Sequence, residues 1–361
     1  MKEICQLYLP SFYRHYEELI KTDKEAKKPL EMVLDLLEPL KNAGFAGVYL
    51  IALWFDGGYD NGFDIVEYVV NPKFGTDEEL LDLIRAAHGL GMEVGVDVVP
   101  NHVSDRNVLA ENCLNDIAGY EDALYVASEE EAKRLTDAGV PSFFGKHAYS
   151  LVDGKYVRST FADYYQLNVN WENQKVKEYF ANVFQKLKDM GIDFVRVDCG
   201  ELLLEDVSKA DPTNPLACLN IEASVKALYE VAGGMKLFYE SFFPETAKLM
   251  EDLPGAYALD CSFVLTGKQP TSWPNFERLV PLIGGHDQKT AADRGINIEE
   301  TLERMGSFEY GFLDIPTLIG WKTYPGHLRG DEEYDADLNN PNQRFRARRP
   351  IGPILDKFLQ K

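Results

Sequence analysis

The sequence predicts an α/β protein, a (β/α)8 barrel with a small inserted subdomain after the third strand. Three observations predict it. Short apolar runs alternate with helix-period segments along most of the chain, the pattern of parallel strands joined by crossover helices. Runs such as Gly47-Val48-Tyr49-Leu50-Ile51-Ala52-Leu53 are apolar throughout, as in strands buried on both faces. The length of 361 residues suits one barrel of about 250 residues plus an insertion, and leaves a second sizeable domain cramped.

Each element follows from local pattern. Ile4 to Leu9 reads as the first strand. Pro29 to Phe45 carries Leu30, Val33, Leu34, Leu37 and Leu40 at helical spacing and ends at Gly44. The run from Gly47 to Leu53 is the second strand. Thr76, with Glu79 three residues on, marks a helix start that runs to about Gly91. Glu93 to Val99 is the third strand. Glu172 to Met190 is a long amphipathic helix with Val176, Phe180, Val183, Phe184 and Leu187 on one face, closed by Gly191. Asp193 to Asp198 is the fourth strand and Lys236 to Tyr239 the fifth. Tyr257 to Val264 and Leu279 to Ile283 are later ones. From Val103 to about Tyr165 the rhythm breaks, and Asp153-Gly154 within Tyr149 to Val157 signals a hairpin. The barrel is therefore expected from 1–102 and 166–361, and the inserted subdomain from 103–165.

A net charge of −22 disfavours phosphate backbones and anionic lipid, so neither nucleic acid nor a membrane is an expected partner. A neutral polymer is not excluded. The five cysteines include no C-x-x-C pair, which reads as reduced thiols in a cytoplasmic protein. The start, MKEICQLYLP, lacks the apolar core of a secretory leader. The basic cluster from Arg344 to Arg349 reads as a solvated or helix-pairing segment.

In a parallel barrel the C-terminal strand ends share one rim, where active sites sit. The third strand leads into Asp97, Asn101 and His102, and the fourth carries Arg196 and Asp198. The fifth ends at Glu240, and the seventh leads into His286 and Asp287. Singly, each has a bland explanation: a strand-end Asp is often a helix cap, and an Arg–Asp pair two residues apart is often structural. Jointly they form the inventory that glycosidic-bond cleavage needs. One carboxylate attacks the anomeric carbon, and a second, protonated, gives its proton to the leaving oxygen. An arginine two residues before Asp198 points the same way and can keep it ionised. Trp54, Phe55, Tyr59, Trp171 and Trp273 could stack on sugar faces or simply pack. Tyr59 and Trp54, just past the second strand, are the better placed for stacking.

These residues resemble the alpha-amylase family, glycoside hydrolase family 13. DVVPNH at 97–102, Arg196-Val197-Asp198, Glu240 and His286-Asp287 resemble its ordered signatures. Asn61-Gly62-Phe63-Asp64-Ile65 through Phe74-Gly75-Thr76, and Asn170-Trp171-Glu172-Asn173, resemble its flanking segments. The resemblance implies a TIM barrel and a retaining enzyme acting on α-glucosidic bonds of oligosaccharides or an α-glucan. It implies Asp198 as nucleophile, Glu240 as acid/base, and Asp287 as a third carboxylate that binds and distorts the sugar. His102, His286, Asp64, Phe63 and Tyr59 would contact sugar, Arg196 would orient Asp198, and Asp97 would support. No cofactor is required. A structural calcium at Asn101, with Asp105, Asn107 and Asp116, is the one metal the resemblance suggests. Phe63 stands where the family has Tyr, Gly284-Gly285 where paired Asn is common, Tyr239 where Gly is usual, and Asn168 where Asp is expected. Cys199-Gly200 follow the nucleophile. The family's C-terminal β-sandwich is expected to be absent. Two alternatives remain at this stage: a transglycosylase or sucrose-type phosphorylase using the same nucleophile, and a catalytically silent relative that binds sugar or protein. Linkage, chain length and oligomeric state stay open.

Overall fold

The computed structural model describes residues 1–59, 62–142, 148–161, 165–214, 216–242, 246–261, 276–284, 295, 297–319 and 351–360. Eight parallel strands close into a barrel. They are β1 (Lys2–Tyr8), β2 (Gly47–Ile51), β3 (Glu93–Val98), β4 (Phe194–Val197), β5 (Lys236–Ser241), β6 (Ala256–Asp260), β7 (Leu279–Ile283) and β8 (Tyr310–Asp314). Neighbours in space are neighbours in sequence, and β8 closes on β1 with Ile4 beside Phe312.

Strand alternation builds two cores from one sheet. Val48, Leu50, Val195, Val197, Leu237 and Tyr239 face the surrounding helices. Tyr49, Phe194, Phe238, Tyr257, Tyr310 and Phe312 fill the barrel. Phe238 is the hub, with ring centroids 5.0 Å from those of Phe312, Tyr310 and Tyr257. Gly95 makes room for this filling, because a Cβ there would lie 1.9 Å from Phe194 Cε2.

The helices begin and end where local chemistry says they should. Thr76 Oγ1 accepts from the Glu79 N–H at 3.2 Å and starts the helix Asp77–Gly89. Gly191, at φ 88°, ends the helix Gln174–Met190 in the left-handed conformation that glycine adopts freely. At the N-terminal face, Glu93 pairs with Lys2 at 2.5 Å and with Lys236 at 2.8 Å, tying three strands together away from the rim.

Strand β8 was not among the sequence expectations, since Gly311 interrupts a short run that has little else to mark it. The helix Leu9–Leu19 and the antiparallel pair Trp54–Asp56 with Ile65–Val70 were also not read. The expected sixth strand, Tyr257 to Val264, is described as Ala256–Asp260, and residues from 262 lie outside the described set.

Between β3 and the helix Gln174–Met190 the chain makes an excursion. It holds the helices Val108–Leu114 and Glu129–Asp137 and a three-stranded antiparallel sheet. That sheet contains the Tyr149–Val152 and Lys155–Arg158 hairpin, turned by Asp153 at φ 46° and Gly154 at φ 83°. Both ends of the excursion are pinned together, since His102–Val103 pairs antiparallel with Leu167–Asn168.

Candidate active site

The inward-facing rows of three adjacent strands become polar as they reach the C-terminal rim. On β3 the row runs from Gly95 to Asp97, and on β4 from Phe194 through Arg196 to Asp198. On β5 it runs from Phe238 to Glu240. Register sets their heights, because Arg196 lies beside Asp97 on one side and beside Phe238 on the other. The aromatic filling of the barrel lies below these groups.

Arg196 is the centre of this cluster. It is buried, and its guanidinium donates to three carboxylates. Nη1 reaches Asp198 Oδ1 at 2.5 Å and Asp97 Oδ1 at 3.2 Å, while Nη2 reaches Glu240 Oε1 at 2.6 Å. A planar, permanently charged fork suits this task better than a point charge. Carboxylate oxygens of Asp198 and Glu240 lie within 4.8 Å of each other. So close an approach matches the spacing of about 5 Å used by retaining glycosidases better than the roughly 6.5 Å or more at which inverting enzymes begin.

Cys199 locks the pair from the other side. Its backbone sits at φ 49°, in the left-handed region that a non-glycine residue adopts at a cost. This turns its N–H toward β5, where it donates to Glu240 Oε2 at 3.2 Å, and its thiol reaches the same oxygen at 3.4 Å. The sequence reading noted Cys199 only as a departure from the family pattern. Its contact with Glu240 depends on a backbone conformation that pattern does not encode.

Asp97 is fully buried beneath the pair. It accepts from the Tyr49 hydroxyl and from the Ala52 N–H at 3.1 Å. Burial pushes its carboxyl up to about 6, against the pull of Arg196 and these donors. It therefore supports Arg196 from below, and the barrel filling holds it back from the rim.

The first wall of the cleft comes from the loop after β2. Asp64 is buried and accepts from the Tyr59 N–H at 3.2 Å. The Phe63 ring lies 5.8 Å from the Arg196 guanidinium carbon, a cation–π contact. Tyr59 stacks on Tyr165 at 5.1 Å, and His102 packs 5.6 Å from Phe161. Phe161 and Tyr165, which the sequence reading missed, come from the far end of the inserted segment. Only folding of the excursion brings them to this wall.

His102 Nδ1 lies 3.2 Å from Asn101 Oδ1, and Nε2 lies 3.2 Å from the Phe63 carbonyl. Burial holds the imidazole neutral, pushing its pKa down to about 4. Trp54 and Trp171 are core residues, so packing is their role. Trp54 Nε1 donates to the Asp97 carbonyl at 2.7 Å and Trp171 Nε1 to that of Pro100 at 2.8 Å. His286, Asp287 and Trp273, with the basic cluster 344–349, lie outside the described residues.

A calcium ion at Asn101 would draw on oxygens of Asp105, Asn107 and Asp116. Asn101 Nδ2 donates to the Leu202 carbonyl at 2.6 Å, and its Oδ1 faces Asn168 and His102. Asp105 accepts from Ser104, and Asn107 Oδ1 caps a helix by accepting from the Leu109 N–H. Lys155 places its ammonium 2.6 Å from Asp116. These side chains close on protein partners and do not fit a calcium cage.

Fold and site together define a (β/α)8 barrel with a paired-carboxylate centre at its C-terminal rim. The family model for the alpha amylase catalytic domain matches residues 12–236, and the chain belongs to the alpha-amylase family. Among curated relatives it is 30% identical over 198 residues to maltase A2 of Drosophila melanogaster. It is 28% identical over 199 residues to an oligo-1,6-glucosidase of Heyndrickxia coagulans. It is 27% identical over 180 residues to a trehalose-6-phosphate hydrolase of Bacillus subtilis (strain 168). These matches cover 52%, 54% and 49% of this chain, but only 34%, 34% and 32% of the relatives, about a third of their length. Among solved structures, a Bacillus licheniformis trehalose-6-phosphate hydrolase superposes with a TM-score of 0.71 at 16% identity, covering 88% of this chain and 65% of that one. A trehalulose synthase variant superposes at 0.73 with 18% identity, covering 94% of this chain and 68% of that one. Likeness at this identity establishes the fold.

Proposed function

We propose that the protein is a retaining glycosidase acting on α-glucosidic bonds of oligosaccharides. The observation that carries this reading is the approach of Asp198 and Glu240 to within 4.8 Å, on adjacent strands and under one arginine. In the first half-reaction Asp198 attacks the anomeric carbon while Glu240 transfers its proton to the departing glycosidic oxygen. A glycosyl ester forms on Asp198 and the leaving sugar departs as an alcohol. In the second, Glu240 takes a proton from water as its oxygen attacks the anomeric carbon, and Asp198 leaves as a carboxylate. Arg196 holds both acids at attack distance throughout. Asp64, Phe63, Tyr59 and His102 form the sugar-binding wall. Asp287 and His286 are assigned to the same sugar on the strength of their motif.

Maltase, oligo-1,6-glucosidase and trehalose-6-phosphate hydrolase among the relatives support a small α-glucoside rather than starch as substrate. The five buried cysteines, with no C-x-x-C pair among them, support a cytoplasmic setting, and no helix among the described residues is long and apolar enough to cross a membrane. The deciding experiment is mass spectrometry after treatment with a fluorinated glucosyl donor that traps glycosyl-enzymes. The label should sit on Asp198, and a label elsewhere, or none beside measurable turnover, overturns the assignment. Product analysis in phosphate buffer then separates water from other acceptors, since glucose-1-phosphate would identify phosphorolysis.

A further inference from the structure

Glu201 lies three residues after Asp198, in the turn that leaves β4, and it is 1% exposed. Its Oε1 is buried with no hydrogen-bond partner among the described residues. No cation faces it. Its polar neighbours are the Ser241 and Thr246 hydroxyls and the Phe242 N–H. Burial pushes the carboxyl up to about 7, so the fold keeps an expensive group here. A buried polar side chain of this kind calls for a reason.

Its neighbours supply one. Ser241 and Phe242 are the two residues that follow Glu240, and Thr246 opens the short helix Thr246–Met250. The turn itself is rigidly placed. Leu202 N–H donates to the Cys199 carbonyl at 3.0 Å, and Asn101 grips the Leu202 carbonyl at 2.6 Å. Gly200 packs against β4 and β5, where a Cβ would meet Val197 Cγ1 at 2.3 Å and Tyr239 Cδ1 at 3.0 Å. The turn after the nucleophile thus touches β5 on both sides of Glu240. Cys199 holds the side chain of Glu240, and Glu201 meets the backbone that follows it.

We propose that Glu201 is a positioning residue for the acid/base: it anchors Ser241 and Phe242 to the turn after β4 and so sets where Glu240 stands relative to Asp198. The proposal rests on the glycosidase reading above. It assigns Glu201 no contact with substrate.

The test compares two aryl α-glucosides, one with a good and one with a poor leaving group, in the full chain. The poor leaving group needs a well-placed acid, and the good one does not. Glu201→Ala should lower kcat/KM, which reports the first half-reaction alone, for the poor leaving group by roughly tenfold, a fraction of the ~10²–10⁴ that general acid catalysis supplies. The kcat/KM with the good leaving group and fluoro-sugar labelling of Asp198 should change little, because neither needs the acid. Glu201→Gln, which keeps an oxygen acceptor, should restore most of the loss. Equal losses on both substrates, or no loss on either, overturn the proposal. Should Glu201→Ala fail to fold, Ser241→Ala carries the test by the same criterion, because it removes one donor from the same link. If the wild type turns over neither substrate and Asp198 takes no label, the glycosidase reading itself falls, and the role of Glu201 falls with it.

Discussion

Asp198 and Glu240 are each held on one side by Arg196, so the chemistry of the site is sensitive to single atoms. On the proposed mechanism Asp198→Ala removes the nucleophile and should abolish turnover by orders of magnitude with the fold intact, checked by kinetics beside circular dichroism. Glu240→Gln should also suppress turnover of an ordinary disaccharide, yet activated donors with good leaving groups should still load Asp198. Near-normal disaccharide turnover in Glu240→Gln would displace it as the acid/base. Arg196→Lys is the sharper probe of geometry. Two nitrogens of one guanidinium reach Asp198 at 2.5 Å and Glu240 at 2.6 Å, and a single ammonium cannot reproduce both contacts. Loss of that register should cost roughly a hundredfold in kcat/KM, the scale at which misplacement of about 1 Å is felt.

At the scale of elements, the barrel and the inserted segment are joined by a buried ion pair. Arg158, on the hairpin of the excursion, donates to Glu205 in the β4–β5 connection through Nε at 3.0 Å and Nη2 at 2.8 Å. The same guanidinium donates to the carbonyls of Ala148 and Pro141 at 2.9 and 2.8 Å. Arg158→Met would leave Glu205 buried and uncompensated, and should cost about 3–5 kcal/mol in chemical denaturation. A cost near zero would show that solvent reaches Glu205. Thr76→Ala probes a simpler device. It removes the side-chain oxygen that accepts from Glu79 N–H, so unfolding free energy should drop by about 1 kcal/mol with kinetics unchanged. The Thr76 cap was legible in the sequence because capping is a four-residue pattern. The Arg158–Glu205 pair was not, because its partners are 47 residues apart and nothing local marks either as buried.

The response of the whole molecule to acid follows from groups that burial has moved in opposite directions. His102 is held down at about 4 in the fold, against about 6.5 in an unfolded chain. A depressed folded value means that its contribution to stability is complete above about pH 6.5 and is lost as pH falls toward 4. The size is about 3 kcal/mol. Asp97 is raised to about 6, so it favours the folded state most below about pH 4 and loses that contribution as pH rises through 6. The two nearly offset each other in the wild type. His102→Asn removes one of them, so its stability should rise relative to wild type as pH is lowered from 7 to 4. Parallel pH–stability curves for the two proteins would show that His102 takes up its proton in the folded state without penalty.

The chain's own order of residues determined the strand–helix alternation, seven of the eight barrel strands, the hairpin at Asp153-Gly154, and the identity of Arg196, Asp198 and Glu240 as a chemical set. These are legible because periodicity, caps and turn residues act over a few positions. Strand β8 escaped because Gly311 breaks its short run. Tertiary structure alone decided that Arg196 faces both carboxylates at once, that Cys199 turns back onto Glu240, and that Phe161 and Tyr165 return from the insertion to the cleft. It alone decided that Trp54 and Trp171 pack inside, and that Asn101 closes on Leu202 and Asn168. Those outcomes depend on strand register, barrel closure and one left-handed residue, which bring together atoms that no local window of sequence contains.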